Sequence, residues 1–100
     1  MELKNIEKIV CQVLKLDPIL FHSECRRKDI VKAKHIYSYI ANNLNIYKLR
    51  IIGDHIKRSH SSVIHSCTTI SNELTYDKKL NLEIEKIKSK VKANQFDQTH

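Results

Sequence analysis

One glycine, Gly53, and one proline, Pro18, punctuate a chain of 100 residues. A sheet protein of that length needs many tight turns, and glycine and proline supply most of their backbone geometry. The apolar residues instead recur at helical spacing. Leu3, Ile6, Ile9, Val10, Val13 and Leu14 make one stripe, and Ala33, Ile36, Tyr37, Ile40, Ala41 and Leu44 make another at i, i+3, i+4, i+7, i+8 and i+11. The expected fold is a compact all-α bundle of about five to six helices.

Boundaries follow from capping chemistry. The first helix is predicted over 3–16 and stops before Asp17-Pro18, where Asp caps and Pro opens a short second helix holding Ile19, Leu20 and Phe21. Residues 23–31 read as a polar basic loop, and the central helix ends near Asn45, with Lys32, Lys34, His35 and Ser38 off its buried stripe. Leu49, Ile52 and Ile56 predict a helix over 47–56. Glycine inside a helix costs about 1 kcal/mol relative to alanine, so Gly53 marks the close approach of another backbone.

Ser59 is the expected N-cap of the next helix, with Val63, Ile64, Cys67, Ile70 or Ser71, and Leu74 inward. Ser61, Ser62, His65, Ser66 and Thr69 fall on its outer face. A final helix over 77–92 turns Leu80, Ile84, Ile87 and Val91 inward, giving one domain over 1–92 and a frayed tail over 93–100. Two helices joined by a short turn, the second opening on Arg58-Ser59-His60-Ser61-Ser62, have the layout of a helix-turn-helix with its reading end exposed.

Charge points the same way. Of the net charge of +7, +6 lies between Glu24 and His60, where Arg26, Arg27, Lys28, Lys32, Lys34, Lys48, Arg50, Lys57 and Arg58 face only Glu24, Asp29 and Asp54. Positive charge clustered around a candidate reading helix suits a phosphate backbone.

Other chemistries find little support. Cys11, Cys25 and Cys67 are odd in number and far apart, which fits a reducing compartment better than a disulfide framework. His55, His60 and His65 recur every five residues and no C-x-x-C or H-E-x-x-H spacing exists, so neither metal nor cofactor is expected. Cys67 paired with His60 or His65 makes a poor nucleophile and base, because Cys67 lies on the apolar stripe, and no enzyme activity is expected. The four tyrosines, Tyr37, Tyr39, Tyr47 and Tyr76, read as core and rim packing. With no apolar run near the roughly 18 residues that span a bilayer, the expected setting is the cytoplasm, without a membrane partner.

Ile52-Gly53-Asp54, followed by Arg58-Ser59-His60-Ser61-Ser62-Val63-Ile64-His65, resembles the signature of the C-terminal DNA-binding domain of the bacterial replication initiator DnaA, I-G-x-x-F-G-G-R-D-H-[ST]-[ST]-V-[LI]-H-A. Ile6 to Leu16 is similar to that family's first helix. Arg26-Arg27-Lys28 through Lys32-Ala33-Lys34-His35 is similar to its basic loop and the start of its central helix, so the likeness covers about residues 5–92.

The resemblance implies a TrpR-like helical fold and double-stranded DNA with an origin-type box as partner, alongside a separate replication initiator. It implies that Arg58 reads a base, with His60 and the hydroxyls of Ser61 and Ser62 at the groove. Lys28 takes the place of a loop arginine that reaches the minor groove, and Lys32 and Lys34 become phosphate contacts. Lys57, Ser59 and His65 complete the expected DNA-binding set.

Two departures bear on specificity. A single Lys57 stands where the family has Gly-Gly, and Ser59 stands where it has aspartate. Serine makes a less selective base contact than a carboxylate that accepts from cytosine, and lysine at positions 28, 32 and 34 lacks the planar fork of arginine. The chain contains no G-x-x-x-x-G-K-[ST] phosphate loop and has no room for an ATPase module. The altered turn also motivates a second reading, a helical protein-interaction module or transcriptional regulator that kept the fold with changed or lost DNA specificity.

Overall fold

The computed structural model describes residues 2–24, 26–45 and 47–98, with side chains through residue 93. Six helices, and no strands among the described residues, follow in order: α1 (Leu3–Leu14), α2 (Pro18–His22), α3 (Lys28–Asn43), α4 (Leu49–His55), α5 (His60–Glu73) and α6 (Lys78–Gln98). No helix is long and apolar enough to cross a membrane among these residues. Cys25 and residues 99 and 100, the end of the expected tail, lie outside the description.

α1 buries Leu3, Ile6, Ile9, Val10 and Cys11. It ends two residues earlier than its apolar pattern suggested, because Lys15 turns left-handed at φ 58°. The Lys15 and Leu16 amides then donate to the Gln12 and Cys11 carbonyls at 3.3 and 2.9 Å, a Schellman closure that satisfies helix-end acceptors. The chain is thereby aimed into Asp17, whose carboxylate caps α2 at the Ile19 amide, 2.9 Å away. Only Phe21 of that helix is fully buried, while Ile19 is 78% exposed, so the expected three-residue cluster reduces to one anchor.

α3 starts inside the stretch expected to be loop. Asp29 in its first turn accepts from Arg27 Nη2 at 2.7 Å, and an acid there suits the helix dipole. The helix packs against all five others, and its Ile30, Ala33, Ile36, Tyr37, Ile40 and Ala41 are buried. Lys34 and Ser38, expected off the stripe, are buried too. Ser38 Oγ donates to the Lys34 carbonyl at 3.0 Å, and Lys34 Nζ donates to the Ser23 carbonyl at 2.9 Å. A helix enclosed on several sides buries more than one stripe, and its polar members find backbone acceptors.

Tyr37 Oη donates to the Ile52 carbonyl at 3.1 Å, fixing α4 against the central helix. Burial raises the Tyr37 phenol far above its ordinary range, so it acts as a neutral donor. Tyr76, by contrast, is 74% exposed. α6 lays Leu80, Ile84, Ile87 and Val91 into the core and packs on α1. Its backbone is helical through Gln98, past the end expected near Lys92.

Candidate nucleic-acid interface

The turn between α4 and α5 sets the geometry of the site. α4 closes on Ile56, Lys57 turns left-handed at φ 57°, and the Lys57 and Arg58 amides donate to the Asp54 and Gly53 carbonyls at 3.2 and 2.8 Å. This is again a Schellman closure, so one lysine occupies the conformation that glycine adopts most readily. A Cβ on Gly53 would lie 2.4 Å from the Arg58 carbonyl oxygen and 3.2 Å from the Ser59 oxygen and Val63 Cγ2. Gly53 therefore marks the close approach that its position inside a helix predicted.

Ser59 caps α5, its Oγ accepting from the Ser62 amide at 3.2 Å and donating to Ser62 Oγ at 3.2 Å. These two hydroxyls hold the helix start together. Val63, Ser66 and Ile70 face the core. This rotation corrects two expectations. Ser66, placed on the outer face by its polarity, is 7% exposed and donates to the Ser62 carbonyl at 3.0 Å. Ile64, placed inside, is 48% exposed. Cys67 is half-buried, with Sγ donating to the Ser38 carbonyl at 3.6 Å, and burial raises its thiol pKa. Burial also pushes the Cys11 thiol up to about 11, helped by Glu7 and Asp17, so neither cysteine is poised as a nucleophile.

Lys57, Arg58, Ser59, His60, Ser61 and His65 are exposed, and Ser62 is half-buried. Arg58, Ser61, Ser62 and His65 line one side of a groove of about 320 Å³, and Val31, Lys34, His35 and Ser38 of α3 line the other. Val31 and His35 also border a second depression that holds Arg26, Lys28, Lys32, Thr69 and Glu73. The two depressions adjoin at Val31 and His35, which sets the basic loop beside the tip of α5. Lys28 is exposed at the start of α3, and Lys32 is partly compensated by Asp77 at 3.8 Å. Lys34, expected as a phosphate contact, has its ammonium turned to the Ser23 carbonyl and is 6% exposed, so it ties the segment before α3 to that helix.

Sequence spacing did not reveal His35 as part of this surface, because its partner His65 lies 30 residues away on another helix. The two rings meet edge to face with centroids 6.3 Å apart. Burial lowers the His35 pKa below 6.5, and the nearby His65 and Arg58 lower it further while Glu73 opposes them.

The family model for the bacterial DnaA protein helix-turn-helix matches residues 3–70, from the start of α1 through most of α5. The chain belongs to this DnaA helix-turn-helix family. Among relatives, the chromosomal replication initiator protein DnaA of Bacteroides thetaiotaomicron is 32% identical over 89 residues, covering 88% of this chain and 19% of that protein. The DnaA protein of Thermoanaerobacter sp. is 33% identical over 90% of this chain and 20% of its own length. That of Borreliella burgdorferi is 31% identical over 92% of this chain and 19% of its own length. The chain thus spans about a fifth of the length of these DnaA relatives.

Proposed function

We propose that this DnaA-family protein binds double-stranded DNA with sequence preference, placing the N-terminal end of α5 in the major groove of a DnaA-box-type site. Its setting is replication initiation or its regulation, in the cytoplasm where chromosomal DNA lies. A separate replication initiator is the proposed protein partner, and the 100 residues themselves perform no ATPase chemistry. The observation that carries this reading is the pair of adjoining depressions, one holding Arg26, Lys28 and Lys32 and the other Arg58, Ser61, Ser62 and His65.

Each exposed group has a distinct assignment. Arg58 presents a planar fork to the N7 and O6 acceptors of guanine, and His60 and Ser61 lie beside it on the first turn of α5. Ser59 and Ser62, engaged with each other, position that turn and leave its free amides directed at a phosphate. His65 and His35 form the groove wall. Lys28, Lys57 and the partly paired Lys32 act on the phosphate backbone, where lysine's compact charge suffices. Lys34 serves the fold.

If Arg26, Lys28, Lys32 and Lys57 each neutralise one phosphate, log affinity falls with log salt at a slope of about −3.6. Fluorescence anisotropy with a labelled DnaA-box duplex and a scrambled duplex tests the reading. The box is expected to bind more tightly, Arg58→Ala to cost about 1–3 kcal/mol on the box alone, and Lys28→Ala to weaken both duplexes alike. Equal weak binding to both, unchanged in Arg58→Ala and His60→Ala, refutes sequence reading and favours an interaction module built on the same fold.

A further inference from the structure

Apart from the groove, three side chains from three helices converge on one point: Glu7 of α1, His22 of α2 and His55 of α4. They are 15 and 48 residues from Glu7 along the chain, so no local spacing announces them. Nε2 of each histidine meets the same carboxylate oxygen, Glu7 Oε1, at 2.9 Å for His55 and in direct contact for His22. The three ligand atoms lie within 4.8 Å of one another.

We propose that Glu7, His22 and His55 form a binding site for a divalent cation of borderline softness, of the zinc type. Two imidazole nitrogens and one carboxylate oxygen are a donor set that Zn²⁺ takes tetrahedrally, with a fourth position left for water. With metal–ligand bonds of about 2.0–2.2 Å, tetrahedral geometry needs ligand atoms roughly 3.3 Å apart. The His55 to Glu7 separation of 2.9 Å reaches that value with a shift of a few tenths of an ångström. The burial pattern fits as well. The Glu7 side chain is 8% exposed, so its charge needs compensation inside the fold, which a divalent cation supplies. His55 is 23% and His22 42% exposed, leaving an aqueous side from which a metal and its water ligand can enter.

The rings are held in place by aromatic neighbours. Phe21 meets His22 edge to face at 5.4 Å, and Tyr37 lies 5.6 Å from His55. A metal takes the lone pair of each Nε2, which places the ring proton of both imidazoles on Nδ1 in the bound state. The bound ion would clamp α1 and α2 to α4, the first helix of the helix-turn-helix.

The test is calorimetric titration of the chelator-treated full chain with Zn²⁺ alone, joined by Co²⁺ titration followed through visible absorption. The expected result is one equivalent bound with a tetrahedral Co²⁺ spectrum free of thiolate charge transfer. His22→Ala, at a position exposed enough to leave the fold intact, is expected to weaken binding by at least the roughly 10–100-fold that loss of even an outer-shell partner costs. Glu7→Gln should weaken it comparably and His60→Ala not at all. No stoichiometric binding, equal binding by wild type and His22→Ala, or a thiolate band would each overturn the proposal and leave the three groups as a hydrogen-bonded cluster only.

Discussion

Gly53→Ala sets helix propensity against packing at the turn that aims α5. In a helix interior, alanine for glycine stabilises by about 1 kcal/mol, and with no neighbours the substitution would be beneficial. Here the new Cβ would sit 2.4 Å from the Arg58 carbonyl oxygen, against ordinary contact beginning near about 3.5 Å. The blocking atom is backbone, and the amide of the same residue donates to the Gly53 carbonyl at 2.8 Å, so no side chain can swing aside. Overpacking costs about 1–3 kcal/mol, and the unyielding partner places this case in the upper part of that range. After subtracting the propensity gain, a loss of about 1–2 kcal/mol remains. For a domain of this size that lowers the thermal midpoint by roughly 5–15 °C. Circular dichroism melting of both proteins reads the difference. An alanine variant as stable as the wild type, or more so, would refute the claim that Gly53 exists for the approach of α4 to the turn.

Lys57 invites the opposite substitution. Its left-handed backbone costs a residue with a Cβ about 1 kcal/mol, so Lys57→Gly is expected to raise stability by about that amount while weakening DNA binding through the lost charge, as melting and anisotropy would show. His35 predicts a pH dependence. Its folded pKa lies below 6.5, so below that pH the unfolded chain takes up a proton that the folded chain refuses. Stability is full above pH 6.5 and declines as pH falls from there through the folded pKa; denaturant titrations of wild type and His35→Gln should show that decline reduced in the variant.

Much of this arrangement was legible in the sequence because its causes are local. Asp17-Pro18 and Ser59 cap the helices they were expected to cap, and Gly53 was readable as a contact because a glycine inside a helix asks for a reason. What escaped depends on tertiary surroundings. Polarity placed Lys34, Ser38 and Ser66 outside, yet α3 and α5 enclose them and backbone carbonyls accept from them. Hydrophobicity placed Ile19 and Ile64 inside, yet both sit on helix faces turned to solvent. Left-handed residues at Lys15 and Lys57 are hidden because nothing in a lysine announces that conformation. The groove shared by His35 and His65, and the convergence of Glu7, His22 and His55, exist only once distant helices are packed.

The central claim is that the N-terminal end of α5 and the start of α3 together form the face that meets DNA. Amide chemical-shift mapping during titration with a box-containing duplex tests it residue by residue. The account predicts the largest perturbations over Lys57 to His65 and over Lys28 to Lys32, with α6 little changed. Perturbations concentrated on α6, or absent from the α5 tip at saturating duplex, would contradict it.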